Sequence, residues 1–526
     1  YQTIDDLLQD LDRYHLDYPV AACKPAFLYS TRKFVTRNKG KLSLAVLFLL
    51  LALFTGLFYA ADIQRERDIA RMEATKATRV TEFMLNLFEG SDPSNAGGSD
   101  ISARELLNRG IERTEYLSNQ PKVQANMFEV LGRILTQLGD YNKAEDLLQQ
   151  SIDIRMELFG ENHLETISSV EQMGILLAAR GNLFEAQSML ETALETRQTV
   201  QGEQQAAMSE ANLELSYVYR RLGKFDRAEN IYRRLITIYT EALGVDDPLT
   251  LTSQSSLGVT LHTAGDLEEA ESIYRDVLSH RLNLYDLPHP DVAMSYNNLG
   301  SLLINTGSFK EAEKMLSKAL DMRQSLFGEA HPKVSLTLNN LGIVNRNRGN
   351  FEQAMVQMKR SLAINRDLFG DSALQTGMVL FSLAELYMMT GEITLAHQYF
   401  DDSHQIFMEK LPEGSSFTAR SLIGLGQSTL RSAKTSRDLE RAEDQITSGF
   451  DRVKQIHPEQ SIEYGLAAAA MGELYIYLGQ KKRGLDYLVS GHRIISNIEG
   501  NESVRASRID RFIQSISADQ MMSVKE

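Results

Sequence analysis

Apolar and small residues recur along most of the chain with a fixed period of 42 residues. Each period contains an apolar anchor followed by a small residue, and the register holds across seven repeats. The anchor pairs are Leu131-Gly132, Met173-Gly174, Leu215-Ser216, Leu257-Gly258, Leu299-Gly300, Leu341-Gly342, Leu383-Ala384 and Leu425-Gly426. A glycine follows each of the first seven anchors by eight residues, and an alanine follows that glycine by five. Such a period predicts stacked supersecondary units that share one continuous core.

The repeat that begins near Asp291 predicts two helices joined by a short turn. Pro290 stands where the first position of a helix tolerates a missing N–H. Gly307 ends the first helix, and Gly328 supplies a left-handed cap for the second. The residues at helical spacing are Met294, Leu299, Leu302 and Leu303 in the first helix and Ala312, Leu316, Ala319 and Leu320 in the second. The repeats are therefore predicted to be all-α.

About nine such helix pairs are predicted over residues 120–499. Residues 101–119 predict one capping helix ahead of them, and residues 500–526 are predicted to be a polar tail. The whole chain contains only 10 prolines, which fits a long helical pattern.

Residues 42–61 are twenty consecutive residues without a charged side chain. A helix of this length extends about 30 Å, which matches the hydrocarbon core of a bilayer. A buried core helix and a cleaved signal peptide are the alternatives. The run is apolar on all sides, and it begins too far along the chain for a signal peptide. These residues therefore predict one N-terminal transmembrane helix, with the lipid bilayer as a partner.

The segments on either side of this run predict its orientation. Residues 21–41 form a basic juxtamembrane segment, and a basic excess marks the cytoplasmic side. Residues 62–100 are predicted to be a juxtamembrane helix followed by a linker that contains glycine, serine and proline. The resulting prediction is a single-pass inner-membrane protein with a cytoplasmic N-terminus and extracytoplasmic repeats.

Composition and motifs exclude several kinds of binding and catalytic site. The formal net charge of -15 argues against nucleic-acid binding through phosphate neutralisation. The single cysteine, Cys23, excludes an intramolecular disulfide and makes a cysteine-rich zinc site implausible. Phosphate-cradling loops, nucleophile elbows and zinc-protease motifs are absent from the sequence. No catalytic residue, metal site or cofactor is therefore predicted for this chain.

Three histidines, His163, His289 and His331, share one slot of the repeat. They lie in connectors of different repeats, too far apart to ligate one metal ion. A role at the start of the following helix is predicted instead.

The repeats resemble the tetratricopeptide pattern. This pattern combines the Leu-Gly pair with an alanine twelve residues after the glycine and a second alanine seven residues further on, as at Gly300, Ala312 and Ala319. The usual period is about 34 residues, and the longer period here resembles the kinesin-light-chain type of repeat. The helix starts Asn297-Asn298-Leu299-Gly300 and Asn339-Asn340-Leu341-Gly342 are also similar to that type. The resemblance implies a tetratricopeptide-repeat superhelical solenoid.

The resemblance also implies a groove lined by the first helix of each pair. Positions two before and two after the anchor, together with those five and six after it, would face a protein or peptide ligand. Asparagine side chains can pair with a peptide backbone, and arginine with a carboxylate. The candidate groove residues are Tyr217, Arg220, Arg221, Asn297, Ser301, Asn305, Asn339, Arg346 and Asn347. Solvated faces and hydrogen bonds between repeats are the alternative roles.

The N-terminal part resembles the end of a bacterial serine/threonine protein kinase domain. Residues 1–20 carry the amphipathic stripe Ile4, Leu7, Leu8 and Leu11, which is similar to the last helix of that domain. The phrases Arg32-Lys33-Phe34-Val35 and Ala103-Arg104-Glu105-Leu106-Leu107 also resemble this family. The resemblance implies that the catalytic domain, with its ATP and Mg²⁺, lies upstream of Tyr1 and that the chain is a fragment.

In this interpretation the repeats are the sensory or scaffolding part of the kinase, and a homodimer is one expected assembly. The alternative is a membrane-tethered scaffold or adaptor without an enzyme.

Overall fold

A computed structural model describes residues 1, 3–22, 26–41, 43–44, 47–48, 50–56, 59, 103–411, 414–500 and 503–523. Every labelled element within these ranges is an α-helix, which confirms the all-α prediction. The chain divides into two compact units, Tyr1–Leu131 and Gly132–Glu526.

The labelled helices of the first unit are α1 (Ile4–His15), α2 (Phe27–Arg37), α3 (Ala103–Glu115) and the start of α4 (Pro121–Leu138). In the second unit follow α5 (Tyr141–Phe159), α6 (Leu164–Arg180), α7 (Leu183–Gln201), α8 (Glu203–Ala207), α9 (Glu210–Arg221), α10 (Phe225–Leu243), α11 (Pro248–Ala264) and α12 (Leu267–Leu284). The remainder are α13 (Pro290–Asn305), α14 (Phe309–Phe327), α15 (Pro332–Asn347), α16 (Phe351–Phe369), α17 (Leu374–Thr390), α18 (Ile393–Lys410), α19 (Ser416–Ser432), α20 (Ser436–Ile456), α21 (Ile462–Tyr477), α22 (Lys481–Glu499) and α23 (Val504–Ser523).

The predicted transmembrane helix is contradicted. Among the described residues, no helix combines the length and the apolar character that crossing a bilayer requires. The predicted single-pass inner-membrane localisation is contradicted for the same reason. The predicted juxtamembrane segment 62–100 lies outside the described residues.

Helix α1 begins with a capping box. The Thr3 hydroxyl accepts from the Asp6 N–H, and the Asp6 carboxylate accepts from the Thr3 N–H. Asp10 is buried and accepts backbone hydrogen bonds from Ala21 at 2.6 Å and Ala22 at 2.8 Å. These bonds, led by that of Ala21, lower the pKa of the Asp10 carboxyl. The chain after α1 is therefore folded back onto the helix.

The described residues of the second unit form eight complete helix pairs. We call the first helix of each pair the A helix and the second the B helix. The A helices are α6, α9, α11, α13, α15, α17, α19 and α21, and the B helices are α7, α10, α12, α14, α16, α18, α20 and α22. The glycine after the anchor allows close packing within a pair, since a Cβ at Gly300 would stand only 2.6 Å from the Leu316 Cγ. The small residue of the repeat therefore sets the spacing of the two helices.

Buried guanidinium groups connect successive repeats. Arg155 on α5 occupies the same slot of the repeat as Arg281 and Arg323 on the B helices α12 and α14. Each donates to the carbonyl oxygen ten residues further on, in the first turn of the next A helix. These bonds measure 2.7 Å to Glu165, 3.2 Å to Asp291 and 2.9 Å to Lys333. Because the donor and acceptor belong to neighbouring repeats, the bond helps to fix the angle between them.

The three connector histidines are N-caps. The Nδ1 atoms of His163, His289 and His331 accept from the backbone N–H two residues further on, at 3.1 to 3.2 Å. Each ring also stacks on an aromatic ring four residues earlier, as in the Phe327–His331 pair with centroids 4.5 Å apart. Each imidazole thus caps the N-terminus of the helix that follows it. In the described part of the chain, no group of three or more histidine, cysteine, aspartate or glutamate residues is arranged to hold a metal ion.

The end of the chain differs from a polar tail, because residues 504–523 form helix α23. The Ser503 hydroxyl caps its start by accepting from the Ala506 N–H at 3.0 Å. Ala506 and Ile516 are buried, and Ile509 and Phe512 continue the same spacing. Apolar residues at three- and four-residue intervals give this otherwise polar segment one face that packs.

Candidate functional site on the A-helix face

The predicted groove residues lie on three A helices. Tyr217, Arg220 and Arg221 belong to α9, Asn297, Ser301 and Asn305 to α13, and Asn339, Arg346 and Asn347 to α15. We refer to the surface that these helices present, together with that of α17, α19 and α21, as the A-helix face. The surroundings of the nine side chains differ greatly, and a ligand role for each of them stays a prediction.

On α9 the side chain of Tyr217 contacts two arginines. The guanidinium of Arg221 donates to the Tyr217 hydroxyl at 2.7 Å, and that of Arg220 lies 5.1 Å from the centre of the same ring. Nearby, burial raises the pKa of the Glu214 carboxyl to about 7, with a further contribution from Glu210. This part of the face is polar and already internally paired.

On α13 the asparagines bond to other repeats. The Asn297 side chain is buried and accepts from Arg323 at 3.0 Å and from Thr337 at 3.3 Å. The amide of Asn305 lies 2.9 Å from the Nε2 atom of His262 in the preceding repeat. Asn297 therefore has a structural role between repeats, as in the alternative that the sequence left open.

On α15 two buried polar atoms have no hydrogen-bond partner among the residues that the structure describes. These are the acceptor Oδ1 of Asn339 and the donor Nδ2 of Asn347. Both residues are at least nine-tenths buried. Between them Arg346, 1% exposed, donates to the Glu385 carboxylate at 2.5 Å. A buried polar atom without a partner is an unsatisfied group that a bound ligand could complete.

Glu385 is the centre of a cluster of arginines. Burial of its carboxyl opposes ionisation, but the guanidinium groups of Arg346, Arg420 and Arg505 outweigh it and lower the pKa to about 2. Arg420 lies 3.4 Å from the second carboxylate oxygen. Arg505 belongs to α23 and also donates to Glu499 at 2.8 Å. The cluster therefore joins α15, α17 and α19 to the C-terminal helix.

Next to this cluster is a cavity of about 660 Å³. Its walls come from the A helices α15, α17, α19 and α21, from α18 and α22, and from α23. Volumes of this size are typical of sites that bind small molecules or short peptide segments.

One predicted groove residue, Arg346, lines this cavity. The sequence interpretation missed its other polar residues, although its own rule could have found several of them. Glu385, Gln427 and Glu473 stand two residues after the anchors of their repeats, and Arg431 and Tyr477 stand six after. These are the slots in which Ser301, Asn305 and Asn347 were selected. The rule was applied to the middle repeats, whereas the cavity lies among the last ones.

Comparison with known proteins agrees with the helix pairs. Residues 123–199, 207–283 and 291–367 match the tetratricopeptide repeat family model. No curated protein matches the chain. Similar solved structures include BtubC (BKLC) from P. vanneervenii, at 22% identity over 45% of this chain and 93% of that chain with a TM-score of 0.34. A putative kinesin light chain from Podosopora anserina is 17% identical over 47% of this chain and 97% of that chain, with a TM-score of 0.27.

A Rap protein complexed with competence and sporulation factor is 15% identical over 78% of this chain and 99% of that chain, with a TM-score of 0.48. The family match and the helix pairs together show that the chain carries tetratricopeptide repeats. Repeats of this kind are scaffolds for protein–protein interaction.

Proposed function

We propose that the second unit binds a protein partner by holding an extended peptide segment against the A-helix face of α15. The observation that carries this proposal is the pair of buried, unpartnered polar atoms, Asn339 Oδ1 and Asn347 Nδ2. Leaving such an atom unsatisfied costs about 1–3 kcal/mol. A ligand that completes both atoms would recover that free energy on binding.

The spacing of the two atoms fits a peptide backbone. Eight residues along a helix correspond to about 12 Å, which an extended segment covers with about four residues. Such a segment presents N–H groups to Asn339 and carbonyl oxygens to Asn347, whatever its sequence. The net charge of -15 speaks against a nucleic acid as the alternative ligand.

Peptide selection on the full chain tests this proposal. Twelve-residue peptides enriched by phage display are titrated by fluorescence polarisation against the wild type and the Asn339→Ala/Asn347→Ala double variant. We expect the double variant to bind about 10-fold more weakly or worse, because both backbone contacts are lost. Asn283→Ala, an exposed change on the B helix α12, is the matched control. Equal binding by the double variant, or a library without any binder, would contradict the proposal.

The larger context is proposed from the sequence resemblance alone. A serine/threonine kinase domain preceding residue 1 would make the repeats its sensory part, and a scaffold or adaptor without an enzyme is the alternative. Reading the gene upstream of Tyr1 separates the two, because a kinase domain requires its nucleotide-binding lysine and its catalytic-loop aspartate.

A further inference from the structure

The cavity beside Glu385 is cationic in a chain of net charge -15. Six arginines and three glutamates line it. The arginines are Arg346, Arg420, Arg431, Arg505, Arg508 and Arg511. Two of these glutamates are engaged by arginines within the cavity. Glu385 faces Arg346 and Arg420, as described above, and Glu473 accepts from Arg431 at 2.6 Å and 3.0 Å.

Arg508 remains without a counter-ion. In the described ranges it forms neither a hydrogen bond nor an ion pair, although Glu473 exerts some attraction from further away. Burial, with a smaller contribution from the charge of Arg431, lowers the pKa of its guanidinium to about 10. The side chain is therefore cationic at neutral pH in a place that disfavours its charge. An anion beside it would relieve that penalty.

Apolar side chains form the rest of the wall. Phe381, Met388 and Met389 come from α17, Ile423 from α19, and Phe512 from α23. The two methionines are flexible and polarisable, so they can adapt to ligands of different shapes. The cavity thus offers the unpaired guanidinium of Arg508 beside an adaptable apolar surface.

We propose that this cavity is a composite site, built between α17, α19, α21 and the C-terminal helix α23, for a ligand that carries one carboxylate on an apolar body. The carboxylate pairs with Arg508, and the apolar body lies against Met388, Met389 and Phe512. The C-terminal residue of an apolar peptide and a free medium-chain carboxylic acid share this chemistry. The site goes beyond the proposed peptide groove, since Asn339 and Asn347 do not line it.

Calorimetric titration of the full chain tests this site. The probes are decanoate, the tripeptide acetyl-Leu-Leu-Phe with a free carboxylate, and the same tripeptide as its C-terminal amide. We expect saturable binding of at least one acid and about 10-fold weaker binding, or less, of the amide. Binding of decanoate alone identifies a free acid as the source, and binding of the peptide acid alone identifies a peptide terminus.

Variants then locate the site. Arg508→Ala should weaken the acids about 10-fold or more, and Arg508→Lys should weaken them less because it keeps the charge. Arg437→Ala, an exposed arginine on α20, changes the net charge equally and should have no effect. Met389→Glu adds a negative charge to the wall without altering α23 and should abolish acid binding. Each variant is checked by circular dichroism and thermal unfolding.

Absence of saturable binding of both acids to the wild type would overturn the proposal. Equal acid binding by correctly folded Arg508→Ala and Met389→Glu variants would do so too. Peptide selection through Asn339 and Asn347 is a separate measurement. Failure of that selection alongside Arg508-dependent acid binding would remove only the proposed peptide groove.

Discussion

Gly307 lies directly against the carbonyl oxygen of Ile498, since a Cβ atom at position 307 would stand 2.3 Å from it. The turn between α13 and α14 therefore touches the end of α22, which is far away in the sequence. A Cβ at the corresponding turn glycine, Gly349, would stand 3.3 Å from the Val504 Cγ2 in α23. The last helices of the second unit thus pack on turns of its middle repeats.

Replacing Gly307 by alanine should destabilise this packing. Its φ of +74° disfavours any side chain, and the Cβ would also collide with backbone atoms that cannot easily move. We expect a loss of about 2 kcal/mol or more, of which the backbone conformation accounts for about 1. Guanidinium unfolding measures the loss, and hydrogen exchange of residues 490–500 shows whether it is local.

Gly328→Ala is the matched control. Gly328 has a φ of +78°, but apart from its chain neighbours no atom of the described residues lies within 4 Å of its Cβ position. The Gly328→Ala variant should lose only about 1 kcal/mol in the free energy of unfolding, which is the cost of the backbone conformation. Equal losses for the two variants would show that the turn at Gly307 does not touch α22 in solution.

The helix pairs were predictable because each repeat has the same pattern of apolar and small residues at its packing positions. The anchor Leu299 and the small Gly300 specify close packing on Leu316, and the same relationship returns every 42 residues. A pattern that repeats in register reports packing between neighbours, which is all that a repeat array needs to fold. The groove slots came from the family resemblance and were only placed by this register, and their extension to Glu385 and Glu473 was missed.

Contacts between distant repeats could not be predicted in this way. The contact of Gly307 with Ile498 and the place of Arg505 beside Glu385 depend on the accumulated rotation of several repeats. The sequence of one repeat does not show how much the rotations of several repeats add up to. The spacing of Ala506, Ile509 and Phe512 did indicate a helix, but polar neighbours concealed it.

Arg323→Ala should weaken the junction between the repeats of α13–α14 and α15–α16. The Arg323 guanidinium donates to Asn297, to the Lys333 carbonyl and to the Thr337 hydroxyl, and the residue is 3% exposed. Its removal takes a charged donor from three buried acceptors, so we expect a loss of about 2–4 kcal/mol in the free energy of unfolding. Arg360→Ala, which breaks an exposed ion pair with Glu329, should lose less than about 1 kcal/mol. Similar losses for both would contradict the junction role.

His262 should make stability depend on pH between about 6.5 and 4. Burial lowers the pKa of its imidazole to about 4, against a weaker opposing effect of Glu463. The folded state therefore favours the neutral ring, so its contribution is complete above pH 6.5 and declines as the pH falls toward 4. His262→Gln keeps an acceptor for Asn305 but does not titrate. Urea unfolding of both proteins should diverge on acidification and run parallel above pH 7, and parallel curves throughout would contradict the assignment.

Glu385→Gln should destabilise the second unit most at neutral pH. The change leaves the buried Arg346 without a carboxylate, and we expect a loss of about 3 kcal/mol at pH 7. Because the pKa of Glu385 lies at about 2 and not at its usual 4.5, its contribution is complete above pH 4.5 and is lost toward pH 2. The deficit of the variant should therefore shrink as the pH falls through this window, which urea unfolding at pH 7, 4.5 and 3 measures. Glu409→Gln, whose carboxylate pairs with the adjacent exposed Lys410, should stay within about 1 kcal/mol of the wild type at each pH. A deficit that is the same at all three pH values would show that ionised Glu385 does not neutralise the arginine cluster.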